Sequence, residues 1–147
     1  KRMAMDRKRI VNLVIDYYVR QKNPFGWNHK DGSCMYKTPE GYMCSIGFLA
    51  NRARKLDALV NDTEYVIDPS VAVFGMKIFK YVNMERTKEN IRFLSEIQST
   101  HDQWCEFFER HPDHKPGDPV RYNANVTNGL GQTFIEELKD LLNQDFS

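Results

Sequence analysis

The sequence predicts an α+β domain that is mostly α-helical, with about five helices packed around one short two-stranded β-hairpin. Apolar residues recur at helical spacing in several separate segments, which is the main sequence signal of amphipathic helices. One turn-rich stretch, bracketed by Cys34 and Cys44, contains two short runs suited to strands. The chain has 147 residues, of which 41% are hydrophobic and 28% are charged, as in one ordinary globular domain. We therefore expect a single domain over residues 1–147.

The first helix is predicted to begin after Asp6, a favourable N-cap residue, and to reach about Gln21. It has too many apolar positions for one stripe, so we expect it to be covered on more than one side. Arg7, Lys8 and Arg9 occupy its first turn, where cations oppose the helix dipole. Either water screens these charges or an anionic partner relieves the repulsion.

The hairpin is predicted from a strand at Cys34–Tyr36, a turn at Thr38–Gly41 and a returning strand at Tyr42–Cys44. Pro39 suits the second position of such a turn, and Gly41 suits a position that requires positive φ. Because an isolated two-stranded hairpin is only marginally stable, this one must pack on the helices.

The rest of the chain is predicted to be helical apart from one proline-rich loop. Asp68 followed by Pro69 is a typical helix start. The C-terminal helix is expected to direct Leu138 and Leu142 inward. The predicted elements are helices at residues 46–59, 69–82, 87–108 and 134–142 and a loop at residues 111–125.

Hydropathy and cysteine content predict an intracellular protein. No run of about 18 apolar residues occurs, so no transmembrane helix is expected. Residues 1–20 lack both the uninterrupted apolar region and the cleavage site of a signal peptide. Three cysteines are an odd number, which argues against a disulfide framework and favours a reducing compartment.

Charge is distributed unevenly along the chain. Residues 1–60 carry 12 Lys and Arg against 5 Asp and Glu, whereas residues 61–147 carry 9 against 15. The two balances, +7 and −6, give the net charge of +1. Either the two halves fold against each other and their fields partly cancel, or a basic face and an acidic face serve different partners.

Two sequence blocks resemble those of a largely uncharacterised family of short bacteriophage and prophage proteins. The first block is Asp31-Gly32-x-Cys34-x-Tyr36-x-x-Pro39-x-Gly41-x-x-Cys44-x-Ile46-Gly47. The second is Gln98-x-x-His101-Asp102, followed by a tryptophan, which stands here at Trp104. The proximity of Trp104 to the second block and the long proline-rich loop depart from the family pattern. The resemblance implies a phage origin and implies no particular activity.

Thiol catalysis is one candidate chemistry. Cys44 lies where a strand gives way to a helix, and a helix N-terminus lowers the pKa of a thiol. His101 and Asp102 follow later in the chain, in the order cysteine, histidine, acid that several thiol hydrolases use. Neighbouring residues of a helix point about 100° apart, however, so Asp102 is poorly placed to orient the imidazole of His101.

Metal binding is a second candidate. Cys34 and Cys44 are expected to face each other across the hairpin, and His101 and Cys105 lie at i and i+4 on one helical face. Together they form a Cys3His set that tetrahedral zinc accepts, although the tight spacing of most zinc motifs is absent. The structural alternative makes all four residues part of the core, with Asp102 capping a segment that starts at Gln103.

A binding surface is the third candidate. The basic residues Arg7, Lys8 and Arg9 lie near Tyr17 and Trp27 in the sequence, and cations interleaved with aromatic rings suit single-stranded nucleic acids. The sequence pI of about 7.9 is not a strong footprint of nucleic-acid binding.

The function we expect first is that of a non-enzymatic phage-encoded accessory protein. It would bind and modulate a host macromolecule in the host cytoplasm, such as a defence component, a nuclease or the transcription machinery, and would need no cofactor and no membrane. The alternatives are a small thiol-dependent hydrolase using Cys44 and His101, a zinc-stabilised module, and a nucleic-acid-binding module. The sequence does not determine the oligomeric state.

Overall fold

The computed structural model describes residues 3–28, 30, 32–62 and 71–147. Within these residues lie six α-helices: Arg7–Ile15 (α1), Ser45–Arg52 (α2), Leu56–Asp62 (α3), Val71–Phe74 (α4), Lys88–Arg110 (α5) and Phe134–Asp140 (α6). One two-stranded antiparallel sheet pairs Trp27–Asn28 (β1) with Ser33–Cys34 (β2). The predicted fold class, α+β and mostly α, is confirmed.

Helix α1 begins where the sequence predicts. The carboxylate of Asp6 accepts the backbone N–H of Arg9 at 2.8 Å, which satisfies one of the free donors of the first turn. Five of the nine residues of α1 are buried, so the helix is covered on more than one side, as expected. A π-helical segment, Asp16–Arg20, extends it almost to the predicted end at Gln21.

The position of the β-hairpin differs from the prediction. Its strands are β1 and β2, with Trp27 opposite Cys34, so the predicted pair Cys34–Tyr36 and Tyr42–Cys44 is wrong. The predicted turn does form, since the N–H of Gly41 donates to the carbonyl of Thr38 at 2.9 Å. Two backbone bonds join the segments before and after this turn, from Thr38 N–H to Tyr42 C=O at 2.8 Å and from Cys44 N–H to Met35 C=O at 3.2 Å.

The helix predicted at residues 46–59 is two helices, α2 and α3. The break lies at Arg54, which adopts the left-handed region with φ 59°. The N–H groups of Arg54 and Lys55 then bond to the carbonyls of Asn51 and Ala50, as at a helix C-terminus closed by a left-handed residue. Sequence reasoning missed this end because the residue normally found there is glycine.

This backbone conformation leads to a stability prediction. Exchange of Arg54 for glycine removes the strain of a left-handed side-chain-bearing residue, whereas exchange of Arg52 places glycine at the last helical position of α2. Both variants lose one cation near the same helix end, so that contribution cancels in their comparison. We expect R54G to be more stable than R52G by about 1–2 kcal/mol in urea denaturation. Equal stabilities would contradict the assigned left-handed conformation.

Helix α5 is the central element of the core. It begins after Thr87, whose hydroxyl accepts the N–H of Asn90, and runs without a break to Arg110. Its buried face packs against α2, α4 and α6. Aromatic rings from three parts of the chain meet around this face, namely Phe25, Trp104 and Phe108 of α5, and Phe134.

The remaining predictions agree in part with the structure. The predicted start at Asp68 and Pro69 lies outside the described residues, and α4 is followed by a 3₁₀ segment, Gly75–Lys80. Helix α6 begins with a capping box between Thr133 and Glu136. Leu142, expected inward, is 36% exposed because the last turn of the C-terminal helix is 3₁₀. No helix of the described residues is both long enough and apolar enough to cross a membrane.

Candidate functional site

Three of the four predicted metal-ligating residues meet in the core, and we call them the Cys-His cluster: Cys34, His101 and Cys105. Their ligand atoms all lie within 4.8 Å of one another. The Sγ of Cys105 is 3.7 Å from Nε2 of His101 and 3.8 Å from Nδ1. His101 and Cys105 have no exposed surface, and Cys34 is 8% exposed. The cluster is therefore closed to anything larger than a small ion.

Two elements hold the cluster together. His101 and Cys105 project from the same face of α5 because they lie one turn apart. The pairing of β1 with β2 places Cys34 beside Trp27, whose indole N–H donates to the carboxylate of Glu109 on α5. The hairpin is thereby attached to the same helix that carries the other two residues.

Cys44 does not belong to the cluster. It is the N-cap residue of α2, and its Sγ accepts the N–H of Gly47 at 3.4 Å. The side chain is fully buried in this position. A thiol that caps its own helix is directed toward that helix, which explains why the expected fourth ligand is absent from the group.

The imidazole of His101 has partners at both ring nitrogens. Nδ1 lies 2.9 Å from Oδ1 of Asp102, and the backbone N–H of Gly26 donates to Nε2 at 3.1 Å. The expectation that Asp102 is poorly placed to orient the imidazole of His101 is wrong, because its short side chain reaches back to the ring nitrogen nearer the backbone. Asp102 also caps no new segment, since α5 continues to Arg110.

The charge state of His101 depends on opposing influences. Burial lowers the pKa of the imidazole, the hydrogen bonds to Asp102 and Cys34 raise it, and together these influences would bring it to about 9. The hydrogen bond from the Gly26 N–H opposes protonation of the ring, because an imidazolium has no lone pair on Nε2 with which to accept it. We therefore assign a neutral ring with its proton on Nδ1, directed at Asp102.

The two cysteines of the cluster are thiols. Interaction with Cys105 and burial raise the pKa of Cys34, and burial raises that of Cys105. A catalytic cysteine needs the thiolate at neutral pH. Neither Cys34 nor Cys105 is a thiolate at neutral pH, and the closed surroundings admit no substrate.

Gln98 joins the two sequence blocks, and its role was missed in the sequence analysis. Its side-chain carbonyl accepts the N–H of Ile46 at 3.0 Å, and its amide donates to Asp102 at 3.4 Å. Ile46 lies in the first turn of α2, so Gln98 satisfies a free donor of that helix from a different element. The available signal was its place in the second block, three residues before His101.

Some of the predicted binding residues pack against other side chains, and the others are exposed at the surface. Arg7 donates to Asn90 at 3.0 Å and stacks on Phe93 and Phe146. Tyr17 stacks on Phe48, and Trp27 is buried. Lys8 and Arg9 are the exposed members of the predicted set.

A surface concavity near Arg9 is the second candidate site, and we call it the arginine concavity. Arg9, Arg52 and Arg54 line it and are exposed. The other described residues that line it are uncharged: Met3, Met5, Asn51, Ala53 and Asn83.

The walls of the arginine concavity come from distant parts of the chain. The N-terminal segment pairs with the segment before α5, since Met5 N–H donates to Asn83 C=O at 3.0 Å. Asn83 in turn donates from its side chain to the carbonyl of Met3 at 2.9 Å. The left-handed conformation of Arg54 turns the chain at the opposite wall. Sequence reasoning found Arg9 and missed Arg52 and Arg54, which lie far from it in the sequence.

Comparison of this chain with protein-family models, with curated proteins and with solved structures finds no match.

Proposed function

We propose that this is a non-enzymatic, phage-encoded accessory protein that acts in the host cytoplasm by binding a host protein through an acidic surface of that partner. A defence component, a nuclease and a subunit of the transcription machinery are the partner classes that suit such a role. The phage origin rests on the two sequence blocks alone. The observation that carries the binding role is the arginine concavity.

Arginine is suited to this kind of recognition. Its guanidinium presents donors in a planar fork that matches a carboxylate, and it is less strongly hydrated than the ammonium of lysine. Three exposed guanidinium groups line one concavity and bring positive charge to it. Such a region accelerates association with an acidic partner and disfavours basic ones.

A protein partner is favoured over a nucleic acid because of the aromatic rings. Proteins that bind single strands stack bases on accessible rings. In the described part of the chain no aromatic side chain is exposed, and the exposed large hydrophobic residues are Met3, Leu130 and Leu142. The aromatic side chains whose burial is described are all buried or half-buried.

The thiol hydrolase is the less favoured alternative. Cys44 is fully buried and bonded to Gly47, and His101 is engaged at both nitrogens. A nucleophile and its base must both reach a substrate.

The test compares two charge-reversed variants in a pull-down from host extract at low salt. The triple variant R9E/R52E/R54E reverses the concavity, and K37E/K115E/K139E changes the total charge equally at exposed lysines that do not line it. We expect the first variant to bind the captured protein about 100-fold more weakly and the second to bind within a few-fold of the unmodified protein. Circular dichroism confirms that both variants are folded.

Two results would overturn the proposal. Equal weakening in both triple variants would show that only net charge matters. Capture that a single-stranded oligonucleotide abolishes, or a complex that contains nucleic acid in place of protein, would favour the nucleic-acid alternative.

A further inference from the structure

We infer that the Cys-His cluster is a zinc site, in which the ion is held by the Sγ atoms of Cys34 and Cys105 and by Nε2 of His101. This site is independent of the arginine concavity, and either proposal can fail while the other stands. It differs from the Cys3His set of the sequence analysis in that Cys44 is not a ligand.

The distances suit zinc. Zinc–sulfur bonds of about 2.3 Å and zinc–nitrogen bonds of about 2.0–2.1 Å at a tetrahedral angle separate the two ligand atoms by about 3.6 Å. The Sγ of Cys105 already lies 3.7 Å from Nε2 of His101. The third ligand atom, on Cys34, lies within 4.8 Å of both. The three ligand atoms therefore lie close together before the ion binds, and coordination requires Nε2 to release the backbone N–H of Gly26, which it accepts at 3.1 Å.

Asp102 supplies the outer interaction that zinc-bound histidines commonly have. A carboxylate that accepts the proton of one ring nitrogen fixes the tautomer and leaves the other nitrogen for the metal. Asp102 holds Nδ1 at 2.9 Å, so Nε2 is the nitrogen that is left for the metal. The N–H of Gly26 now occupies its lone pair. The ion replaces this donor, so the N–H of Gly26 needs another acceptor, and metal-bound sulfur accepts backbone N–H groups in metal centres.

The composition of the cluster selects the metal. Two sulfurs and an imidazole favour zinc over the hard ions magnesium and calcium, which prefer oxygen. On binding, each thiol transfers its proton to solvent, so one Zn²⁺ enters and two protons leave. Two thiolates and one neutral imidazole then compensate the ionic charge fully, which suits a site without exposed surface on His101 and Cys105. The fourth tetrahedral position falls to a small exogenous ligand such as water or hydroxide.

The experiment uses the full chain, purified under reducing conditions, stripped with a chelator and titrated with zinc chloride. We expect one zinc per chain to survive dialysis, two protons to be released per ion in weakly buffered solution, and the melting temperature to rise. Cobalt(II) in place of zinc should give thiolate-to-metal charge-transfer absorption and the strong visible bands of a tetrahedral site. These readouts need no variant, so a folding defect cannot obscure them.

Variants then assign the ligands. We expect C34S and C105S each to lower zinc affinity at least 100-fold. C44S retains an oxygen able to cap α2 and should bind zinc as the unmodified protein does. Stoichiometry far below one, release of no protons, or a cobalt spectrum without thiolate absorption would overturn the site. Loss of zinc from C44S equal to that from C34S, with the C44S variant folded, would overturn this choice of ligands.

Discussion

Replacing Gly47 with alanine is expected to lower the free energy of unfolding by about 4 kcal/mol or more, to the point that the variant fails to fold at 37 °C. A Cβ atom at this position would lie 2.0 Å from the carbonyl oxygen of Tyr36 and 2.8 Å from its carbon. Both are backbone atoms and cannot rotate away. The clash can be relieved only by moving the segment around Tyr36 away from α2, which disrupts the core around Cys34. Urea denaturation followed by circular dichroism measures the effect.

Gly129 provides the matched control. A Cβ atom added there meets no atom within 4 Å. We expect G129A to change the free energy of unfolding by no more than about 0.5 kcal/mol. A G47A variant whose stability falls by less than 1 kcal/mol relative to G129A would show that α2 does not approach Tyr36 as closely as described.

Replacing His101 with alanine is the second large effect, with an expected loss of about 3–5 kcal/mol. The substitution leaves a cavity in the core and removes the acceptor of the buried Gly26 N–H and the partner of Asp102. Unfolding should be measured with EDTA present, so that no bound metal adds to the stability of the unmodified protein.

The glutamine variant distinguishes the role of the hydrogen bond from that of volume. H101Q retains a side-chain acceptor that can meet the Gly26 N–H, and we expect it to recover part of the stability that H101A loses. Exchange of the exposed Gln103 for alanine, on the same helix, should have an effect below about 0.5 kcal/mol. An H101A variant as stable as Q103A would contradict the structural role given to His101.

Elements with strong local signals were predictable. Apolar residues at 3.6-residue spacing predicted α5, and Asp6 predicted the start of α1. The turn ending at Gly41 followed from residue types that favour one backbone geometry, and Gly41 indeed has φ 93°. In each case the physical cause lies within a few residues of the element.

Elements decided by distant contacts were not predictable in the same way. Strands of two residues have no period to detect, so the pairing of Trp27 with Cys34 left no pattern in the sequence. The end of α2 at Arg54 lacks the glycine or proline that marks most helix ends.

In the candidate site, too, the locally determined features were predictable and those that depend on distant contacts were not. The spacing of His101 and Cys105 placed them on one face, and the structure confirms it. Cys34 belongs to the Cys-His cluster because of the β1–β2 pairing, and Cys44 lies outside it because its thiol caps α2. Residue spacing in the sequence predicts neither result.

The hydrogen bonds of Gly26 and Ile46 also constrain the order of folding during synthesis. Their acceptors, His101 and Gln98, lie 75 and 52 residues further along the chain. When only the first third of the chain has left the ribosome, the N–H groups of Gly26 and Ile46 are present, but the residues that accept their hydrogen bonds have not yet been synthesised. This segment therefore cannot complete its packing until α5 has been synthesised, and until then it is collapsed or bound by a chaperone. A nascent chain stalled before residue 98 should remain sensitive to protease around Gly26 and Ile46.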